Sequence, residues 1–231
     1  MLKHRDKLYL GAIGFTLALS SIVKWEPAAF DLMMVILIIW GAKAGYLSQL
    51  KTIPKWPLLF LFLLLAPNLV FITLHLQTPG AMRFFAITLY CVFIWLFLVL
   101  ILNHFTLRGF RYVLYGYAVS ALASAATGLI AFLFFRTSPL IFEMYRVRVF
   151  FKDPNVLGPY MIPILLFAMA VLWQKNSPKR WFWTAALVLC GWAVLFSFSR
   201  AAWLNLGVAV VIFLGLLLFN KADRDPHRIK Q

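Results

Sequence analysis

The chain has few acidic residues and few charged residues of any kind. Only 7 Asp and Glu accompany 22 Lys and Arg among 231 residues, and charged residues make up 13% of the sequence. A soluble domain carries about 25% charged residues, so this chain has too few polar side chains to cover a surface in water. Hydrophobic residues make up 64% of the sequence, which also excludes an intrinsically disordered chain.

Cysteine is also scarce, because Cys91 and Cys190 are the only two and both lie within apolar runs. Two such cysteines form neither a disulfide framework nor a metal-ligand pattern. The net charge of +15 is scattered between apolar runs and does not form the patch that is typical of nucleic-acid binding. We therefore expect no metal, no cofactor and no nucleic-acid partner, and we expect a protein in contact with membrane lipid.

Eight apolar segments approach the roughly 20 residues that a helix needs to span a bilayer. They are residues 8–23, 28–42, 57–76, 84–102, 112–135, 156–173, 181–196 and 201–219. The connections between them are short, and a polar tail follows at 220–231. The sequence therefore predicts an all-α, polytopic integral membrane protein in which residues 1–231 form a single transmembrane domain.

The distribution of Lys and Arg predicts the orientation of these segments. Fifteen of the 22 basic residues lie on the side of the two termini, which is therefore predicted to be cytoplasmic together with the tail. The connection between the fifth and sixth segments is an exception, because it places Arg136, Arg146, Arg148 and Lys152 on the outer side. Either this loop has a function, or one segment is miscounted and the loop is cytoplasmic.

The end of this basic loop predicts the start of a helix. Asp153 followed by Pro154 is typical of an N-cap and a first helical position. A helix N-terminus attracts anions, and Arg146, Arg148 and Lys152 precede it. One interpretation is a phosphate or diphosphate site at the outer membrane boundary. The other is a capped helix whose arginines contact lipid headgroups.

A second informative segment is Phe-Ser-Phe-Ser-Arg-Ala-Ala-Trp at 196–203, a tight connection predicted on the same outer side. Ser197 and Ser199 can cap or hydrogen-bond within such a turn. Arg200 is expected in the first turn of the eighth helix, where it opposes the helix dipole and suggests an anionic partner. The alternative is an arginine that extends to the lipid headgroups. The two segments together suit an anionic lipid-linked substrate whose tail stays in the bilayer.

Few other residues are candidates for chemistry. His75 is the only histidine predicted on the outer side, so it is a candidate general base, although a histidine there is also common as a polar residue at headgroup level. No carboxylate is predicted deep within a span, which argues against an ion-coupled pump.

Both segments resemble motifs of the O-antigen ligase and polymerase family. Residues 151–160, Phe-Lys-Asp-Pro-Asn-Val-Leu-Gly-Pro-Tyr, are similar to the family's Asn/Asp-Pro-Asn-x-x-Gly segment, and residues 198–204, Phe-Ser-Arg-Ala-Ala-Trp-Leu, to its Ser-Arg-Gly/Ala-x-Trp segment. The resemblance implies a GT-C-type glycosyltransferase of the bacterial inner membrane. Such an enzyme takes a glycan from undecaprenyl diphosphate at the periplasmic face and transfers it to an acceptor during surface polysaccharide assembly.

The resemblance also implies roles for individual residues. Arg200 would lie near the diphosphate, and Asp153 and Asn155 would shape that region. The full set predicted to bind the diphosphate is Arg200, Arg146, Arg148, Lys152, Asp153, Asn155 and Ser199. No metal is expected, because arginines would neutralise the leaving diphosphate.

Family members typically continue through further helices and a long periplasmic loop with a catalytic histidine. This sequence ends about twelve residues after the eighth segment, so the resemblance covers only the front part of that architecture. We expect a partial form, a split form completed by a companion membrane chain, or a form that has lost catalysis. A transporter or flippase component and a non-catalytic assembly subunit for a lipid-linked saccharide are the alternative functions.

Overall fold

The computed structural model describes residues 3–25, 27–48, 53, 55–75, 78, 80–135, 138, 142–143, 146–174 and 179–219. Within them the chain forms α1 (His4–Ala18), α2 (Ala29–Lys43), α3 (Lys55–Leu74), α4 (Ala81–Phe134), β1 (Phe142–Glu143), β2 (Arg146–Val147), α5 (Pro154–Trp173), α6 (Arg180–Phe196) and α7 (Arg200–Phe219). The two short strands pair antiparallel, with Glu143 opposite Arg146. Apart from this hairpin the described chain is helical, and the predicted helical class is confirmed.

The helices have the composition of membrane-embedded segments. Within the described residues, α4, α5 and residues Arg200–Leu217 of α7 are long and apolar enough to cross a membrane. Large apolar side chains point outward, such as Phe60 with 67% and Leu204 with 71% of their surface exposed. Exposed apolar surface of this kind is covered by lipid in a membrane protein. The predicted count of eight spans and the cytoplasmic position of both termini stay predictions.

The range Ala81–Phe134 holds two helices that meet at a kink. They correspond to the segments predicted at 84–102 and 112–135, and the kink is at Thr106, which has the non-helical angles φ 52° and ψ −135°. The polar residues Asn103, His104 and Arg108, predicted in a connection, are helical instead. Residues 103–111 contain no Pro and only one Gly, the two residue types that end helices most effectively, so helical geometry continues on both sides of the break.

The other helix bounds differ from their predictions less. The first helix begins and ends earlier than the predicted 8–23, at His4 and Ala18. The tail at 220–231 and the loop residue Arg136 lie outside the described residues. Within the predicted transmembrane domain the chain divides into two compact units. Unit 1 is Met1–Leu17 with Phe30–Gly116, and unit 2 is Ala18–Ala29 with Tyr117–Gln231.

Unit 1 has a core built around a buried tyrosine. The hydroxyl of Tyr9 donates to the backbone oxygen of Leu37 at 3.0 Å, and its ring centroid lies 4.8 Å from that of Tyr46. Helices α1 and α4 approach closely at Gly14 and Gly116, because a Cβ at Gly116 would overlap the Gly14 backbone. Small residues at such crossings are typical of helices that pack in membranes.

Unit 2 has its core between α5, α6 and α7, and α5 packs along α6. The buried positions recur at three- and four-residue intervals, which places them on one face of each helix. They are Leu157, Met161, Ile164, Leu165 and Ala168 on α5, and Ala186, Cys190 and Ala193 on α6. This packing brings the start of α5 next to the turn between α6 and α7.

Candidate functional site

The start of α5 is organised by its N-cap, as predicted. The carboxylate of Asp153 accepts a hydrogen bond of 2.7 Å from the backbone N–H of Asn155, and Pro154 begins the helix. Asp153 has extended backbone angles, φ −131° and ψ 134°, which end the preceding loop. Asp153 and Asn155 are both exposed, so the cap leaves polar oxygens at the surface of the helix N-terminus.

The turn between α6 and α7 is held by two buried serines. The Ser197 hydroxyl donates to the backbone oxygen of Val194 at 2.7 Å and accepts from the Ser199 N–H at 3.3 Å. The Ser199 hydroxyl accepts from the backbone N–H of Ala202 at 3.3 Å, which caps α7. Arg200 is the first residue of this helix, as predicted, and its side chain is exposed. The capped turn therefore presents the Arg200 side chain at the helix N-terminus.

Arg146 joins the two segments. Its Nε donates to the backbone oxygen of Ser197 at 2.9 Å, and its Nη2 donates to Oδ1 of Asn155 at 2.6 Å. A guanidinium holds its donors in one rigid plane, so it can bond two acceptors on separate elements at once. The half-buried Arg146 thereby connects the start of α5 to the α6–α7 turn.

Gly158 makes the same connection through packing. A Cβ built at this position would lie 2.5 Å from the Cβ of Ala202 and 2.9 Å from the hydroxyl oxygen of Ser197. Real Cβ contacts are not that short, so only glycine allows α5 to approach α7 this closely. The structure thus packs the two predicted segments directly against each other.

The remaining predicted cations belong to the same part of unit 2. Arg148 is half-buried, and its Nη1 lies 3.5 Å from the backbone oxygen of Lys152. The side chains of Lys152 and Arg200 are exposed. With Arg146, four basic side chains thus belong to the two segments, against the one carboxylate of Asp153 at the α5 N-terminus.

Two residues in these segments have backbone angles that bulky side chains rarely adopt. Val149 has φ 53° and Phe198 has φ 47°, both in the left-handed region. That region is unfavourable for β-branched and aromatic residues and is occupied where surrounding structure imposes it, often at ligand sites. One of these two residues precedes α5 and the other lies in the α6–α7 turn.

The connection between α1 and α2 also contacts this region, which the sequence did not predict. The backbone N–H of Val23 donates to the Phe150 oxygen at 3.3 Å, and the Ser20 and Tyr160 hydroxyls lie 2.5 Å apart. Lys24 follows Val23 and adds a basic residue to unit 2 beside the loop. The only signal of this contact in the sequence is that Lys24 is a lone basic residue in a connection predicted on the outer side.

His75 is not among the residues that the structure brings together here. It follows α3 in unit 1, is exposed, and stacks on Phe71 with 4.2 Å between ring centroids. Its Nδ1 lies 3.0 Å from the backbone oxygen of Phe71. Over the part of the chain that the structure describes, no group of three or more His, Cys, Asp and Glu side chains could hold a metal ion.

No protein-family model matches the chain, and neither a curated protein nor a solved structure is detectably similar to it. The proposed function therefore depends on the chemistry of the site and on the motif resemblance of its two segments.

Proposed function

We propose that this chain is an O-antigen ligase-like protein of the bacterial inner membrane. It binds an undecaprenyl-diphosphate-linked glycan at the periplasmic face, for transfer to an acceptor in surface polysaccharide assembly. The observation that carries the proposal is the pair of hydrogen bonds from Arg146 to Ser197 and Asn155. Two distant segments that each resemble motifs of the same family form one contiguous site through these bonds.

The charges of the site suit a diphosphate. Arg200 and Lys152 are exposed and can contact phosphate oxygens directly, and Arg148 lies in the same loop as Lys152. Arg146 orients Asn155, whose backbone also belongs to the first turn of α5. When the glycan leaves the diphosphate, negative charge develops on the phosphate oxygens, and fixed arginines and helix N-termini stabilise that charge without a metal.

The surface of α7 suits the lipid tail. Leu204, Val208 and Val211 follow Arg200 at three- and four-residue intervals, so all four residues lie on one helical face. The three apolar side chains are 71%, 51% and 70% exposed. A diphosphate at Arg200 would therefore leave its isoprenoid tail against an apolar stripe that begins one helical turn further into the membrane.

The proposal places the catalytic base outside the described substrate-binding residues. Glycan transfer requires a base to accept the proton of the acceptor hydroxyl. The further helices and the loop with a histidine that the resemblance implies would supply it, either in a longer form of this protein or on a companion membrane chain.

A binding titration of the purified full chain tests the proposal, with undecaprenyl diphosphate as the ligand and undecaprenyl monophosphate for comparison. Because charge-assisted hydrogen bonds contribute about 1.5–3 kcal/mol, Arg200→Ala and Arg146→Ala should each weaken diphosphate binding about tenfold or more. Arg180→Ala is the matched control, since Arg180 is exposed at the start of α6, away from these segments in the sequence.

Glycan transfer in membranes carrying the same variants gives the second readout. Undiminished binding and transfer in both Arg200→Ala and Arg146→Ala would exclude the diphosphate site.

A further inference from the structure

Unit 1 contains an apolar groove of about 400 Å³ along α2 and α4. Its walls include Val35, Ile39 and Leu47 from α2 and the following turn, and Phe93, Phe97 and Leu100 from α4. Val35, Ile39 and Phe93 are 50%, 51% and 62% exposed. The groove therefore opens to the outside of unit 1, where lipid surrounds a membrane-embedded helix.

The two helices that form the groove run side by side in the same direction. Near their starts, the Tyr90 hydroxyl donates to Oδ1 of Asp31 at 2.7 Å. Past the end of α2, the ring of Tyr46 lies 5.1 Å from that of His104 on α4. The groove therefore has one end near Asp31 and another near His104.

The end near His104 carries a positive charge. Val35, Ile39 and Lys43 are spaced four residues apart, so Lys43 continues the groove wall along the same face of α2. Lys43 is the last residue of α2 and is exposed. A cation thus lies where the apolar wall ends.

The same end has polar atoms without partners. On α4, Asn103 and His104 follow Leu100 by one helical turn. The Nδ2 of Asn103 and the Nδ1 of His104 are buried, and among the described residues neither atom has a hydrogen-bond partner. Each of the two atoms has less than 1 Å² of accessible surface, so a lipid in the groove does not contact them, and Lys43 is the group that this end offers to a headgroup.

We propose that the groove binds one acyl chain of an anionic phospholipid, whose phosphate lies at Lys43. The apolar walls accept the chain, and the Lys43 ammonium attracts the phosphate and donates to one of its oxygens. An extended acyl chain is much narrower than a protein helix, which is about 10–12 Å in diameter, and so suits a narrow apolar groove. The proposal does not depend on the glycan function, because all of these residues belong to unit 1.

Native mass spectrometry of the purified full chain tests the headgroup part. The probes are phosphatidylglycerol and a diacylglycerol with identical acyl chains, which lacks the phosphate. Phosphatidylglycerol should bind about tenfold more tightly, the typical effect of one charge-assisted hydrogen bond, and Lys43→Gln should abolish this preference. Lys55→Gln is the matched control, because Lys55 is an exposed lysine at the first residue of α3. Equal affinity for the two lipids, or an unchanged preference in Lys43→Gln, would overturn the proposal.

Filling the groove tests the acyl-chain part. Ile39→Trp should remove phosphatidylglycerol binding, whereas Ile36→Trp should not, because Ile36 is 62% exposed on α2 and does not line the groove. Thermal unfolding shows whether each variant is folded, and Ile39→Phe replaces Ile39→Trp if the larger side chain prevents folding. Undiminished lipid binding in the folded variant would contradict the proposal. A dimer that forms without lipid and is lost in Ile39→Trp would also contradict the proposal, because a second copy of the chain would then occupy the groove.

Discussion

The guanidinium of Arg146 donates through Nε to the backbone oxygen of Ser197 at 2.9 Å, across 51 residues of sequence. The acceptor is a main-chain atom, so no change of the Ser197 side chain removes the bond directly. The second bond from the same guanidinium reaches Asn155. The Arg146 side chain therefore holds the start of α5 and the α6–α7 turn together.

Replacing Arg146 with lysine should not preserve the site. A lysine keeps the charge but has one ammonium on a flexible stem, so it cannot hold the Ser197 oxygen and the Asn155 amide in the same geometry. We expect Arg146→Lys to lower the free energy of unfolding by about 1–2 kcal/mol and to weaken undecaprenyl diphosphate binding. Arg180→Lys serves as the control in thermal unfolding and in the titration. If Arg146→Lys had the stability and the diphosphate affinity of wild type, the two hydrogen bonds of Arg146 would contribute to neither.

A methyl group at Gly158 should separate α5 from α7. Because its Cβ would lie 2.5 Å from the Cβ of Ala202, we expect Gly158→Ala to reduce the free energy of unfolding by about 1–3 kcal/mol, as overpacking does. Thermal unfolding in detergent measures the effect.

The matched control for this substitution is Gly207→Ala. Gly207 is also in a helix, and a Cβ there meets no atom within 4 Å, so the change should raise stability by up to about 1 kcal/mol. The double variant Gly158→Ala, Ala202→Gly should recover part of the loss, because it removes the nearest clashing atom. A double variant no more stable than Gly158→Ala would contradict this explanation.

The cap at Asp153 should depend on an acceptor oxygen and not on charge. Asp153→Ala removes the hydrogen bond to the Asn155 N–H and should lower the free energy of unfolding by about 0.5–2 kcal/mol. Asp153→Asn keeps an acceptor oxygen and should stay within a few tenths of a kcal/mol of wild type. Thermal unfolding of the three proteins distinguishes these outcomes, and equal losses in both variants would mean that the charge, not the cap, stabilises α5.

The pair Tyr46 and Asp6 in unit 1 should produce a pH dependence of stability. The Tyr46 hydroxyl donates to Oδ1 of Asp6 at 2.5 Å, and this bond lowers the pKa of Asp6 below its ordinary value of 3.8. Because the folded-state pKa lies below the unfolded one, the stabilisation is present above about pH 4 and is lost as the pH falls through the folded-state pKa.

Tyr46→Phe tests this pair. It keeps the buried ring and removes the donor, so it should be less stable than wild type at pH 7, and the difference should narrow as the pH falls below 3.8. Tyr115→Phe is the control, because Tyr115 is 55% exposed on α4. A difference between Tyr46→Phe and wild type that stays constant from pH 7 to pH 3 would exclude the linkage.

Local patterns predicted the helix starts of the site well. Asp153 with Pro154 marks the start of α5, and Ser199 with Arg200 marks the start of α7. A cap involves only the three or four residues around it, so the sequence contains all the information that the cap requires. Polar residues also predicted the break between two helices that the structure has as a kink at Thr106, but the connection is shorter than the predicted 103–111, because helical geometry resumes on both sides of this residue.

The sequence by itself determined that the chain is a set of apolar helices, where the two helices of the site begin, and which basic residues lie close to those starts. Apolar runs and caps act over a few neighbouring residues, so they can be read along the chain. Only the tertiary structure decided that Arg146 bonds to Ser197 and that Gly158 packs against Ala202. These contacts join residues more than forty positions apart, and they depend on how the faces of α5, α6 and α7 fit together. That fit arises from side-chain shape and close packing between helices, which local propensity does not encode.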